Sequence, residues 1–164
     1  MRRRCGGNMA IEAALWIPVM VLLIVGMVQF GKITYLYYTL KKTVYSAARY
    51  LSLQPGTNFC DLAADANVTA AINFALTNST DGSGTPLIPN LTPDMLQVTT
   101  QCVDPASGVA GPCDTSGCPA IARRPDYIMV GIPNGYVVQP RIPMTTLDPI
   151  LLRPWALVPF GGTT

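Results

Sequence analysis

The sequence predicts an α+β protein: a long N-terminal transmembrane helix extends into a small extracytoplasmic domain that has a second helix and a short antiparallel sheet. Three observations predict this class. Residues 13–31 carry no formal charge, and such a stretch is long enough to cross a bilayer as a helix. Apolar residues then recur at helical spacing, and an alanine-rich segment follows. Short alternating segments in the second half are typical of strands.

The first helix is predicted from about Met9 to Ser52, where Gln54-Pro55-Gly56 ends it. Its apolar stripe after the span consists of Ile33, Leu36, Leu40, Val44, Ala47 and Leu51. Pro18 lies inside the span and cannot donate its backbone amide, so we expect a bend there. The bend is either a neutral kink or a flexible point that lets packed helices adapt.

The distal elements follow from shorter patterns. Residues 61–78 are predicted as the second helix, with Asp61 near its N-terminal end, where negative charge is favourable. Residues 95–103 alternate as a strand, and residues 106–119 are predicted as a loop rich in glycine, proline and cysteine. Residues 127–132 and 135–139 are predicted as a hairpin. The proline-rich tail, residues 140–160, is expected to lie as an irregular ribbon on a sheet edge or on a partner, with no clear final strand after it.

The charges predict the orientation and exclude several function classes. Three arginines, Arg2–Arg4, precede the span and favour a cytoplasmic N-terminus, although Lys32, Lys41 and Lys42 follow it. From Leu53 onward, eight aspartates against four arginines leave no clustered basic face for nucleic acid. The chain has no histidine, no phosphate-binding glycine loop and no triad context. We therefore expect no enzyme activity, no cofactor and no metal site.

Glu12 is the only glutamate of the chain, and it lies at the start of the apolar stretch. An acidic residue costs roughly 2.5–3.5 kcal/mol near the centre of a membrane helix, so it needs a partner. If a peptidase cuts after Gly7, the new α-amino group belongs to Asn8, and Glu12 becomes the fifth residue. The ammonium of one subunit and the carboxylate of its neighbour could then pair in lipid.

These residues resemble a known family. Gly7, Glu12, the arginine leader and the apolar helix together resemble the type IV prepilin processing motif. The string Met9-Ala-Ile-Glu-Ala-Ala-Leu-Trp-Ile-Pro18, with Gly26–Gly31 and Ala47-Ala48-Arg49-Tyr50, resembles TadE-type pseudopilins of the tight-adherence (Flp) pilus machinery. The resemblance covers residues 1–52.

The resemblance implies a pilin-like fold and an assembly role. Residues 1–7 would be a leader removed by a prepilin peptidase, 8–52 the mature helix, and 53–164 an extracytoplasmic domain. Gly7 would be the last leader residue, Asn8 the new N-terminus, and Glu12 the recognition and assembly glutamate. The product would be a minor pseudopilin in the bacterial inner membrane, needed to build a pilus for surface adhesion or biofilm formation. Its partners would be other pseudopilins, pilus assembly proteins and the lipid bilayer.

The cysteines agree with an oxidising compartment for the distal domain. Removal of the leader, with Cys5, leaves an even number, and four cysteines can form two disulfides. These four are Cys60, Cys102, Cys113 and Cys118. Three connectivities are open, and we favour Cys113 with Cys118 and Cys60 with Cys102. Zinc is disfavoured because no Cys-x-x-Cys pair is present.

One alternative to the pseudopilin is an unprocessed, signal-anchored protein whose distal domain binds an extracytoplasmic ligand. An ordinary cleaved signal peptide fits less well, because Val28-Gln29-Phe30-Gly31 has no small residue at the position that a signal peptidase needs.

Overall fold

A computed structural model describes residues 6–114, 118, 124–142 and 145–161, except for the side chains of residues 6–8 and 141–146. The predicted leader residues Arg2–Arg4 and Cys5 lie outside the described residues. The helices are α1 (Gly6–Ser52) and α2 (Ala66–Thr77), and a 3₁₀ turn covers Pro93–Met95. The strands are β1 (Gln97–Val103), β2 (Ala110–Pro112), β3 (Tyr127–Gly131), β4 (Tyr136–Val138), β5 (Arg141–Ile142), β6 (Thr145–Thr146), β7 (Ile150–Leu152) and β8 (Trp155–Pro159).

The chain separates into two compact units. The first unit comprises the residues up to Leu36 together with Val138–Ile150, and it contains the two-stranded antiparallel β5–β6 ladder. The second unit comprises Tyr37–Val137 and the chain from Leu151 onward. The second unit holds the C-terminal part of α1, the whole of α2 and a four-stranded sheet, so the α+β class is confirmed.

The C-terminal part of α1 supplies the centre of the core in the second unit. Its fully buried apolar side chains are Leu40, Val44, Ala47, Ala48 and Leu51. Spacings of three and four residues place them on one face of the helix, as the apolar stripe predicts. The buried Thr43 hydroxyl donates to the Thr39 carbonyl at 3.0 Å, so its polar group has a partner. The helix ends at Ser52, as predicted.

Helix α2 begins later than the sequence predicts. The Asp65 side chain accepts hydrogen bonds from the backbone N–H groups of Asn67 (2.8 Å) and Val68 (3.1 Å), which makes it the N-cap. Asp61 lies before the helix and accepts from the Ala64 N–H at 3.2 Å, so its predicted position at the helix start is wrong. The rings of Tyr50 in α1 and Phe74 in α2 stack with centroids 5.3 Å apart.

The main sheet has the strand order β2-β1-β3-β8, and all its neighbours are antiparallel. The predicted strand at residues 95–103 is confirmed as β1. One face of the sheet is buried at Ile128 and Val130 of β3 and at Ala156 and Val158 of β8. The alternate residues, among them Met129 and Leu157, lie on the opposite and more exposed face.

Three predictions about the distal half are wrong. The segment 106–119 contains a strand, β2, which pairs with β1. The turn at Pro133-Asn134 exists, with the Gly135 N–H donating to the Ile132 carbonyl at 3.1 Å, but β3 and β4 do not form a hairpin. Instead, β3 lies between β1 and β8, and β4 pairs with β7. The tail ends in a real strand, β8, which pairs with β3 from Gly131↔Trp155 to Tyr127↔Pro159.

The disulfides are Cys60–Cys118 and Cys102–Cys113, so the favoured connectivity is also wrong. The reason is the β1–β2 hairpin. Its turn is closed by the Gly108 N–H, which donates to the Asp104 carbonyl at 2.7 Å. This turn returns the chain antiparallel to β1 and brings the Cα atoms of Cys102 and Cys113 within 4.8 Å. Cys118 is then left for Cys60, with 5.7 Å between their Cα atoms.

Candidate functional site

The predicted processing and assembly residues lie in the first turns of α1. The helix already includes Gly7 and Asn8, and it continues without interruption through Glu12. Asn8 and Glu12 are four residues apart and therefore lie on the same side of the helix, one turn from each other. The Cα–Cβ bonds of a helix tilt toward its N-terminus, so the Glu12 side chain leaves the backbone on the side of the turn that contains Asn8.

The environment of Glu12 is an exposed apolar surface. Glu12 itself is exposed, and so are its large neighbours, for example Met9 at 77% and Leu15 at 72%. This surface continues along the helix as far as Phe30, which is 72% exposed. By length and composition, the helix from Met9 to Ser52 can cross a membrane, and its most apolar part is not buried within the protein. The sequence therefore places a carboxylate at one end of a surface that needs lipid or other helices to cover it.

Pro18 lies six residues after Glu12, inside α1. Its ring leaves the carbonyl of Ala14 without the usual helical donor. The helix nevertheless continues on both sides of it. Pro18 is therefore the one residue of α1 that cannot donate a helical backbone hydrogen bond, because it has no N–H. Its role in assembly stays a prediction.

The four distal cysteines belong to the second compact unit and are joined in pairs there. Among the described residues, no group of three histidine, cysteine, aspartate or glutamate side chains is placed to hold a metal ion. Sequence reasoning missed strand β8 and the cleft that α1 forms beside it. The signal was present in the alternation of Trp155-Ala-Leu-Val-Pro159, where every second side chain is buried.

Residues 7–49 match the family described as TadE-like protein. The match begins at the glycine that precedes the predicted cleavage point and ends three residues before the end of α1. It includes Asn8, Glu12 and Pro18 and does not reach α2 or the sheet. No curated protein and no solved structure matches this chain.

Proposed function

We propose that this chain, a TadE-like protein over residues 7–49, is a minor pseudopilin that a prepilin peptidase matures for assembly of the tight-adherence (Flp) pilus. TadE-like proteins are pilus components rather than a known enzyme family, and the single N-terminal apolar helix is of the kind found in a single-pass membrane protein. The observation that carries the proposal is the family match, which starts at Gly7 and contains the exposed Glu12.

The proposed division of the chain follows from the cleavage point. Residues 1–7 are the leader, which the peptidase removes from the cytoplasmic side of the inner membrane. Residues 8–52 form the mature helix, with the span at about 13–31, and residues 53–164 form the periplasmic domain. Arg2–Arg4 support a cytoplasmic leader, since a dense basic cluster is retained on that side.

The proposed role of Glu12 is to select and hold a neighbouring subunit. Cleavage creates an ammonium group on Asn8, one helical turn from the carboxylate. A carboxylate and an ammonium in a medium of low dielectric constant attract strongly, and each removes the cost of leaving the other without a partner. Pairing between neighbouring pseudopilins would set the depth of one helix against the next.

Substitution of Glu12 tests this role. Glu12→Gln removes the charge and keeps nearly the same shape, so membrane insertion should be equal or better, because an acidic residue costs roughly 2.5–3.5 kcal/mol at a helix centre and somewhat less at this end. Co-purification with other pilus components should fall. Glu12→Asp, which keeps the carboxylate, is the matched control and should retain more of that association. Equal co-purification of the glutamine variant and the wild type would contradict the pairing.

Substitution of the leader glycines tests processing separately. Gly7→Leu places a branched side chain directly before the proposed scissile bond and should leave a longer product in the membrane. Gly6→Leu makes the same change one residue earlier and should affect cleavage less. If both variants and the wild type keep the leader, the chain is an unprocessed, signal-anchored protein instead.

A further inference from the structure

The second compact unit contains a cleft between α1 and the outer edge of β8. One wall is formed by α1 and the other by Trp155, Ala156 and Leu157 of β8, and the cavity has a volume of about 790 Å³. The residues of the α1 wall are Tyr37, Tyr38, Lys41, Lys42 and Tyr45. The lining thus contains two lysines, four aromatic rings and no acidic side chain. Its size is within the range of sites that hold a small ligand, about 300–1,000 Å³.

The edge of β8 that faces away from β3 is open. The Ile132 N–H donates to the Pro154 carbonyl (3.1 Å), and the Phe160 N–H donates to the Asp126 carbonyl (2.9 Å). In an antiparallel ladder, these bonds flank the pairs Gly131↔Trp155 and Tyr127↔Pro159, which are therefore not hydrogen-bonded themselves. It follows that the backbone groups of Trp155 and Leu157 are directed to the outer edge. In the described part of the chain, no strand pairs with that edge.

The open edge is short because prolines bound it. Pro159 has no N–H, and Pro154 directs its backbone groups toward β3, so the outer edge offers two donors, at Trp155 and Leu157, together with the carbonyls of the same two residues. Prolines at these positions protect a sheet edge against extended pairing with another sheet. They leave room for a segment of about three to five residues, at 3.3 Å per residue.

We propose that this cleft binds a short, extended, acidic segment of a partner protein, which adds as a strand to β8. An added strand directs alternate side chains to opposite faces of the sheet. One set would meet the α1 wall, where Lys41 and Lys42 attract carboxylates. The other set would lie beside Trp155 and Leu157, which are 62% and 39% exposed and favour apolar side chains. Such strand addition takes its affinity from main-chain hydrogen bonds and its specificity from alternate side chains.

A lipid headgroup is the other chemistry that lysines and aromatic rings attract next to a membrane span. The position of the cleft in the sequence favours the peptide. The cleft lysines, Lys41 and Lys42, are ten and eleven residues beyond Gly31, which corresponds to about 15 to 17 Å of helical rise. The headgroup layer is only about 5–8 Å thick on each side. A lipid headgroup also cannot form the ladder of main-chain hydrogen bonds that the N–H groups of Trp155 and Leu157 offer.

The test uses the full chain in nanodiscs of zwitterionic lipid and the probe peptide acetyl-Glu-Val-Glu-Val-Glu-amide. The peptide should slow amide hydrogen exchange at Trp155 and Leu157 and change the Trp155 fluorescence in a Trp16→Phe background. Replacement of Lys41 and Lys42 together by glutamine should weaken binding about tenfold, as expected for two partly exposed ion pairs. Lys32→Gln is the matched control, because Lys32 lies on α1 but does not line the cleft. It should leave binding unchanged.

Two altered peptides keep the test independent of protein folding. Acetyl-Lys-Val-Lys-Val-Lys-amide should bind much more weakly, and the acidic peptide N-methylated at alternate residues should lose protection of both amides. The proposal is overturned by absence of binding, by equal binding of either altered peptide, or by protection that requires only anionic lipid. Leader cleavage plays no part in this test, so its failure leaves the pseudopilin proposal unaffected, and the reverse also holds.

Discussion

The two disulfides close loops of very different length, which predicts different effects on stability. Cys60 and Cys118 are 58 residues apart, and Cys102 and Cys113 are 11 apart. In the chain-entropy treatment, a crosslink removes entropy from the unfolded state in proportion to the logarithm of loop length. The longer loop is then worth about 1.5 kcal/mol more than the shorter one.

The perturbation is the removal of each pair by serine. Cys60→Ser with Cys118→Ser should lower the free energy of unfolding by about 1.5 kcal/mol more than Cys102→Ser with Cys113→Ser. Urea unfolding of the full chain in detergent, followed by Trp155 fluorescence in the Trp16→Phe background, measures both. The reverse order of stability would refute the reasoning.

A thiol count tests the connectivity in the same variants. After removal of one native pair, the other should remain oxidised, so a maleimide reagent should find no free thiol among the remaining distal cysteines. A crossed variant, Cys60→Ser with Cys102→Ser, separates both pairs. It should expose Cys113 and Cys118 as free thiols, or join them in a non-native bridge at a lower free energy of unfolding. A crossed variant with the stability of the wild type would contradict the pairing.

Three further predictions concern single side chains in the second unit. Asp65→Ala removes the N-cap of α2 and should lower the free energy of unfolding by about 1 kcal/mol, whereas Asp61→Ala, before the helix, should cost less; equal urea midpoints would contradict this difference. Tyr136→Phe removes the hydrogen bond that the phenol donates to the Pro89 carbonyl (2.6 Å), and it should lower the free energy of unfolding by about 1 kcal/mol in the same assay. An unchanged free energy of unfolding would contradict this hydrogen bond. Hydrogen bonds from the Ser79 hydroxyl, and then from Ser83, lower the pKa of Asp81 to about 2. Because the pKa of Asp81 in the folded state is below the usual value of about 3.9, the ionised carboxylate stabilises the turn above about pH 4 and loses that effect as the pH falls through about 2. NMR titration of the Asp81 carboxyl group should give a midpoint near the lowered pKa. Ser79→Ala should raise that midpoint.

The sequence predicts the N-terminal helix well because one strong signal decides each of its parts. An uncharged stretch long enough for a bilayer marks the candidate span, and the stripe that includes Leu40, Val44 and Leu51 continues the helical period into the core. Gln54-Pro55-Gly56 then ends the helix within two residues of Ser52. In each case the local pattern and the final packing agree.

The distal half is harder to predict because long-range pairing decides it. The predicted turn at Pro133-Asn134 is present, yet the Ile132 N–H donates to the Pro154 carbonyl and not to β4. A turn between two strand-like segments is therefore not enough here to predict that these segments pair. Strand β8 lies between prolines that suggest an irregular tail. Pro159 lies in a pair that is not hydrogen-bonded, so the ladder with β3 needs no donor there, and Pro154 lies just before the strand. The cysteine pairing depends on the β1–β2 hairpin, which adds a strand to a segment whose composition suggests only a loop.

The candidate site divides in the same way. Gly7, Asn8 and Glu12 are predicted from their spacing together with the basic leader, the apolar helix and the family resemblance, all of which lie within one short segment, and their roles stay predictions. The cleft beside β8 could not, since Lys41 and Trp155 are more than a hundred residues apart in sequence and only the fold brings them to opposite walls.

The mass of the mature protein tests the central claim most directly. The full chain is extracted from membranes of its native host, and its intact mass and N-terminal residue are determined. The proposal predicts a product that begins at Asn8, with an α-amino group available to pair with Glu12. A product that still carries Arg2–Arg4 has no such group and would contradict the role as a processed pseudopilin.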